Sequence, residues 1–269
     1  MNRINLIKFG RRTFECDTRQ YFVQGISNDD PYYSGIEGDF EKKFQLIVKK
    51  LVKDNGCVID VGANIGITSI ILSHYLPNST VYAIEPSKKA FRTLKKNIKI
   101  NNIKNVKSFN FASADRDTEF RFNENSAYGH INLNNNSQFN SAPIIGKKID
   151  TFVNNFVKDS RINFIKIDVE GFEPQILEGA KKTIEKFKPL VYLEFNTWCL
   201  EAFGNNRPIE FLEEIISKYP FVYRVSKNLE SSQIVDQLPM NGLALRIFHD
   251  NVALHGSVDD LILSFSKIA

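Results

Sequence analysis

The sequence predicts an α/β protein with a mostly parallel, doubly wound, Rossmann-like sheet and helices on both faces. Two observations predict it. Short β-rich runs alternate with helical periods from residue 57 onward. The first of these strands also runs directly into a glycine-containing turn, Gly62-Ala63-Asn64-Ile65-Gly66, and from there into a helix. Alternating strands and helices build βαβ units. Such sheets bind ligands at the carboxyl ends of their strands, which is where chemistry should be sought.

Residues 1–55 form an N-terminal extension with one clear helical period: Phe40, Phe44, Ile47, Val48 and Leu51 share a face. That helix should stop near Asn55-Gly56. The main domain is expected over 56–250, with 251–269 as a tail of the same domain. Strands are expected at 57–61, 80–84, 106–111, 163–168, 190–195, 221–225 and 243–248. Helices are expected at 67–75, from a Ser87 cap to residue 100, at 174–187 and at 209–218. Ala90, Phe91, Leu94 and Ile98 face inward on the second helix, and Pro174 suits the first position of the third. Residues 123–143, rich in Asn and Ser and poor in period, read as a solvated loop or as a lid over a substrate.

With 269 residues, 42% of them apolar, the chain can bury one large core. The net charge of +4 comes from scattered Lys and Arg balanced by 31 acids, with no dense basic run, so no nucleic-acid partner is indicated. Cys16, Cys57 and Cys199 are far apart and form no CxxC pair, which points to neither zinc nor a disulfide framework. Reduced thiols, no secretory leader and no apolar run of about 20 residues together suggest a cytoplasmic chain without a membrane span. The sequon at Asn78 is then a chance match.

The strongest local signal is Val58-Ile59-Asp60-Val61-Gly62-Ala63-Asn64-Ile65-Gly66. Gly62 allows the backbone to pass close to a ligand, and Gly66 allows the next helix to pack tightly. A dinucleotide fold would show G-x-G-x-x-G here. Instead an acid precedes a G-x-x-x-G, which suits a ligand with a charged amino-acid end and no phosphate, such as S-adenosylmethionine (SAM). Glu85, closing the second strand, can accept hydrogen bonds from ribose hydroxyls. Ser113 and Asp115, after the third strand, would sit beside an adenine ring. A nicotinamide dehydrogenase is the weaker alternative.

A second motif, Lys166-Ile167-Asp168-Val169-Glu170-Gly171, places a lysine inside an apolar strand and acids at its exit. Burying Lys166 demands a carboxylate partner. Asp168 and Glu170 supply candidates and could also do acid–base work. With VIDVGANIGITS, YAIEPS, LKKNIKINNIKNV, KKIDTF, IKIDVEGFEPQILEGA and PLVYLEFN in this order, the sequence over about residues 55–200 resembles the FkbM family of methyltransferases. The resemblance implies a class I methyltransferase sheet of seven strands, one antiparallel. It also implies SAM-dependent O-methylation of sugars or small metabolites. By position, Asp60, Gly62, Asn64, Gly66 and Glu85 would hold SAM, and Lys166, Asp168 and Glu170 match the family's other signature.

The resulting expectation is transfer of a methyl group to a hydroxyl, with Asp168 as first choice of base, Glu170 as second and Lys166 orienting. Mg²⁺ held by the carboxylates is an alternative route. So are a non-catalytic SAM-fold binding module and another acceptor, such as nucleic acid or protein. Asp29-Asp30-Pro31-Tyr32-Tyr33 resembles the D-P-P-Y of base-methylating enzymes but lacks the second proline and a preceding strand. His130 is the one histidine of the 123–143 stretch and a candidate base.

Overall fold

The structure is a computed structural model that describes residues 12–27, 31–123, 130–132, 141–158, 161–225, 235–237 and 242–268. It starts with an antiparallel hairpin, β1 (Arg12–Cys16) and β2 (Arg19–Val23), followed by α1 (Pro31–Ser34) and α2 (Lys42–Leu51). Five elements then come in strict alternation: β3 (Cys57–Val61), α3 (Ile67–Tyr75), β4 (Thr80–Ile84), α4 (Lys88–Ile100) and β5 (Val106–Phe109). Next are β6 (Ala112–Ser113), β7 (Thr118–Asn123), β8 (His130–Asn132), β9 (Ser141–Lys147) and α5 (Ile149–Phe156). The chain continues through β10 (Ile162–Ile167), α6 (Glu173–Gly179), α7 (Lys181–Phe187), β11 (Leu190–Asn196), α8 (Thr197–Ala202), α9 (Pro208–Lys218) and β12 (Phe221–Val225). It closes with β13 (Val235–Gln237), α10 (Leu243–Leu254) and β14 (Val258–Ser264).

The main sheet runs β13-β12-β14-β11-β10-β3-β4-β5. From β11 to β5 every pair is parallel, whereas β14 is antiparallel to both its neighbours. Seven of these strands form the mixed α/β sheet expected from the sequence, and β13 adds an eighth at the edge. The chain passes outward from β3 through β4 to β5 and returns to β10 on the other side of β3. This order reverses between β3 and β10, so a crevice opens at their carboxyl ends.

Strand β3 is buried along its whole length and divides the core. Ile59 and Val61 face one layer, with Phe152 of α5, Ile176 of α6 and Phe211 of α9. Val58 faces the other, with Phe44 and Ile47 of α2, Ile70 of α3 and Tyr21 of β2. Ser87 caps α4 as expected, its hydroxyl accepting the Ala90 N–H at 3.2 Å.

Three expectations need correction. Residues 243–248 are not a strand but the start of α10, whose buried residues Leu243, Ala244, Ile247 and Asn251 follow a helical spacing. Leu243, Leu245 and Ile247 also alternate, so a six-residue window satisfies both periods. The antiparallel strand is supplied by β14, whose two leading acids, Asp259 and Asp260, disguise it. The expected helix over 174–187 is two helices: the Asp150 carboxylate accepts the N–H groups of Lys182 and Thr183 and starts α7 anew. Finally, parts of the 123–143 stretch pair in a second sheet, β6-β9-β7-β8. Residues 124–129 and 133–140 lie outside the described residues, as do the side chain of His130 and residues 28–30 of the Asp29-Asp30-Pro31 motif.

Candidate active site

The turn after β3 engages most of its own backbone donors. The N–H groups of Gly62 and Ala63 both donate to the Ile84 carbonyl, at 3.1 and 3.0 Å, and the Gly66 N–H donates to Ala63 O at 2.8 Å. The Asn64 N–H donates to Glu85 Oε2 at 2.8 Å. Asn64 and Gly66 both sit in the left-handed region, with φ of 47° and 95°. Gly62, at φ 77°, is required for a reason not visible in the sequence: a Cβ there would lie 1.9 Å from the Asp168 carbonyl oxygen. The clash is therefore with the second motif's backbone rather than with a ligand.

Behind this turn, Asp60 is fully buried, and its Oδ2 accepts hydrogen bonds from Thr68 Oγ1 at 2.8 Å and Ser69 Oγ at 2.6 Å. Its Oδ1 lies 3.8 Å from Lys166 Nζ. Lys166, 3% exposed, is 3.0 Å from Asp168 Oδ2. Burial works against the lysine's charge, but Asp168 and then Asp60 outweigh it and raise its pKa above the ordinary value. One buried ammonium thus ties the β3 motif to the β10 motif, each supplying one carboxylate.

The turn after β10 is strained and acidic. Glu170 occupies the left-handed region at φ 56°, and Gly171 follows at 96°. A Cβ on Gly171 would meet the Cys199 carbonyl at 2.1 Å, so α8 packs directly on this turn. Cys199 Sγ donates to Glu170 Oε2 at 2.9 Å. Glu173 braces the turn from beneath: its Oε1 accepts the Val169 and Gly171 N–H groups at 3.1 and 3.2 Å. Burial first, then the charge of Asp168, pushes the Glu170 carboxyl up to about 7.

Both turns open into one cleft of about 360 Å³, within the roughly 300–1,000 Å³ usual for small-molecule sites. It is lined by Gly62, Asn64, Glu85, Ser113, Lys166, Asp168 and Glu170 among the residues expected from the sequence. Glu85 is buried, with one oxygen on the Asn64 N–H and the other on the Ser87 N–H at 2.7 Å; burial raises its pKa to about 7. Ser113 Oγ is buried and lacks a hydrogen-bond partner. Asp60 and Gly66 stand behind the wall. Asp115 does not line the cleft; its carboxylate lies 3.5 Å from Arg116.

Among the lining residues not singled out in the sequence are the titratable Glu41, Tyr192, Glu194 and Asp260. Glu194 could have been found, since it interrupts the apolar strand Leu190–Asn196 much as Lys166 interrupts β10. Its Oε2 is buried without a partner. Oxygens of Asp168, Glu170 and Glu194 all lie within 4.8 Å of one another. Asp260 reaches the cleft only because β14 inserts beside β11, and its pKa rises to about 6 by burial. Glu41, pushed by burial to about 7, comes from the N-terminal segment.

The Methyltransferase FkbM domain family matches residues 60–223, which contain both turns and most of the cleft. The chain belongs to this family. Methyltransferase 1 of Beauveria bassiana (strain ARSEF 2860) is 23% identical over 146 residues, covering 47% of this chain and 59% of that protein. Among solved structures, the methyltransferase FkbM from Methylobacillus flagellatus KT is 16% identical with a TM-score of 0.46, over 78% of this chain and 44% of that one. The precorrin-6y C5,15-methyltransferase from Geobacter metallireducens GS-15 is 15% identical with a TM-score of 0.43, over 82% and 87%. These likenesses are distant, and the fold rests on the strand order itself. No helix among the described residues is long and apolar enough to cross a membrane.

Proposed function

We propose that this FkbM-family chain is a SAM-dependent methyltransferase whose acceptor is a hydroxyl on a sugar or similar small polyhydroxylated molecule. One observation carries the reading: Lys166 joins the β3 turn to the acids of the β10 turn across a single cleft. Bound SAM supplies an electrophilic methyl group on a sulfonium. Glu85 would accept hydrogen bonds from ribose hydroxyls, Ser113 Oγ would give its unmet hydrogen bond to the adenine side, and Asn64 and Gly62 would border the cofactor.

The chemistry of the turn favours SAM over a dinucleotide. A pyrophosphate needs free N–H groups at the turn, and those of Gly62, Ala63, Asn64 and Gly66 are already engaged. The abundance of carboxylates around the cleft suits a cationic ligand. It also disfavours a polyanionic acceptor such as nucleic acid. Tyr32 of the Asp29–Tyr33 motif does line the cleft, but from α1 rather than from the exit of β10.

A hydroxyl acceptor must lose its proton, and a carboxylate near neutrality is suited to take it. The sequence puts Asp168 first; Glu170 is the better candidate, because Asp168 is ion-paired with Lys166, whereas Glu170 meets the neutral Cys199 thiol and burial, then the charge of Asp168, raises its pKa to about 7. Asp168 then orients Lys166. A second reading rests on Glu194: with Asp168 and Glu170 it could hold a divalent cation such as Mg²⁺, which would acidify the acceptor. Comparing the glycans and small metabolites of a deletion strain with its parent tests the acceptor. Loss of a methyl ether supports the proposal; loss of methylation on RNA, DNA or protein alone would overturn it.

A further inference from the structure

The cleft is closed on one side by Tyr32, Glu41 and Phe44, all of which precede the family-matched span that starts at residue 60. This wall is carried by the N-terminal hairpin. Gln45 Nε2 donates to the Glu15 carbonyl at 2.8 Å, binding α2 to β1. Gly25 lies directly beneath the Tyr33 ring, where a Cβ would come within 2.4 Å, so the path from β2 to α1 is closely packed.

The hairpin is in turn held by two asparagines, Asn97 of α4 and Asn101 at its C-cap. Asn101 Oδ1 accepts the Phe22 N–H at 2.9 Å, and its Nδ2 donates to the Phe22 carbonyl at 2.7 Å. Asn97 repeats the arrangement on Gln24, at 2.8 and 3.0 Å. The two carboxamides stand one helical turn apart and occupy the place of a neighbouring strand. They differ in one respect. Asn97, fully buried, also donates to the Ile65 carbonyl at 2.9 Å, inside the turn between Asn64 and Gly66. Asn101 spends its remaining bond on the Asn97 backbone carbonyl.

We infer that Asn97 is a positioning residue that couples the N-terminal wall of the cleft to the cofactor turn. One side chain fixes Ile65 and Gln24 together, so ordering one end orders the other. By thermodynamic reciprocity, SAM binding tightens the seat of the N-terminal wall as much as the seated wall tightens SAM binding. The inference rests on the SAM reading above.

The test combines calorimetry of SAM binding with hydrogen exchange of peptides covering residues 20–27. In the wild type, SAM should slow exchange there. Asn97→Ala leaves the Ile65 carbonyl without its donor and should weaken SAM binding about tenfold, and SAM should no longer slow exchange. Asn101→Ala loosens the hairpin equally but should change SAM affinity less than about twofold and keep the SAM-dependent slowing. If Asn97→Ala does not fold, Asn97→Leu retains about the same size yet cannot donate to Ile65; it should show the same losses. Equal effects of the Asn97 and Asn101 substitutions would overturn the inference, as would SAM-dependent slowing that survives at Asn97→Ala or Asn97→Leu. Failure of the wild type itself to bind SAM would overturn the parent reading as well, and is distinguishable by its occurrence before any substitution.

Discussion

The turn after β3 and the turn after β10 each hold a non-glycine residue and a glycine at positive φ, and each has a buried carboxylate beneath it. Yet the first is saturated with hydrogen bonds, whereas the second is crowded with charge. Asn64 and Glu85 satisfy one another, and Asp60 is braced by Thr68 and Ser69. Around Glu170, by contrast, stand Asp168, Glu173 and Glu194, with Lys166 as the counter-charge to Asp168 and Glu170. A saturated turn offers a fixed shape, suited to holding a cofactor. Burial, with neighbouring charge added to it, raises the carboxyls of the second turn to about 7, which suits moving a proton.

The largest effect should come from breaking the second turn's chemistry. Glu170→Gln keeps the shape and removes the basic oxygen, so turnover should fall about 10²–10⁴-fold while SAM affinity stays nearly constant. Steady-state kinetics and calorimetry on one preparation check both. If Glu170→Gln retains full turnover, Asp168→Asn is the next variant, and full turnover there too would end the base assignment at this turn.

Gly62→Val should come next, and it tests the contact between the two turns. Its Cβ meets the Asp168 carbonyl, so we expect a loss of about 2–5 kcal/mol from overpacking and left-handed strain together. Urea unfolding reads this without any ligand. Lost SAM binding at undiminished stability would instead place the clash in the ligand's space.

Burial of carboxyls at both turns also sets a pH dependence. Glu85, Glu170 and Glu173 have folded pKa values raised from 4.5 to about 7. The folded state therefore binds more protons than the unfolded chain between those values, and stability falls as pH rises through that window, by an amount on the order of a few kcal/mol. Urea midpoints should be higher near pH 5 than near pH 8 for the ligand-free protein; the opposite slope would contradict burial of these carboxyls in a raised-pKa state. Activity should run the other way, rising through about pH 7 as Glu170 ionises.

The smallest effect belongs to Cys199. Its thiol lowers the Glu170 pKa by donating a hydrogen bond. Cys199→Ala should move the acidic limb of the activity profile upward by less than about one unit. An unmoved limb would detach Cys199 from the base.

The saturated turn was the more legible of the two. Its residues are local: 57–61, 67–75, 80–84 and the Ser87 cap can be read from period, glycine and cap chemistry alone, and the structure gives the same bounds. The charge-crowded side draws on distant segments. Glu194 and Asp260 enter from β11 and β14, and β14 was hidden because two acids interrupt its apolar pattern. Glu41 reaches the cleft through packing of an N-terminal segment whose pattern showed a helix but not what it faces. Asp115 misled because proximity in sequence to Ser113 does not place it in the cleft.

The most direct measurement is a calorimetric titration of the wild-type protein with SAM and, separately, with NAD. If the β3 turn holds a ligand without phosphate, SAM binds saturably at one site per chain and NAD gives no binding heat. Saturable NAD binding, or no SAM binding by the folded protein, would contradict it.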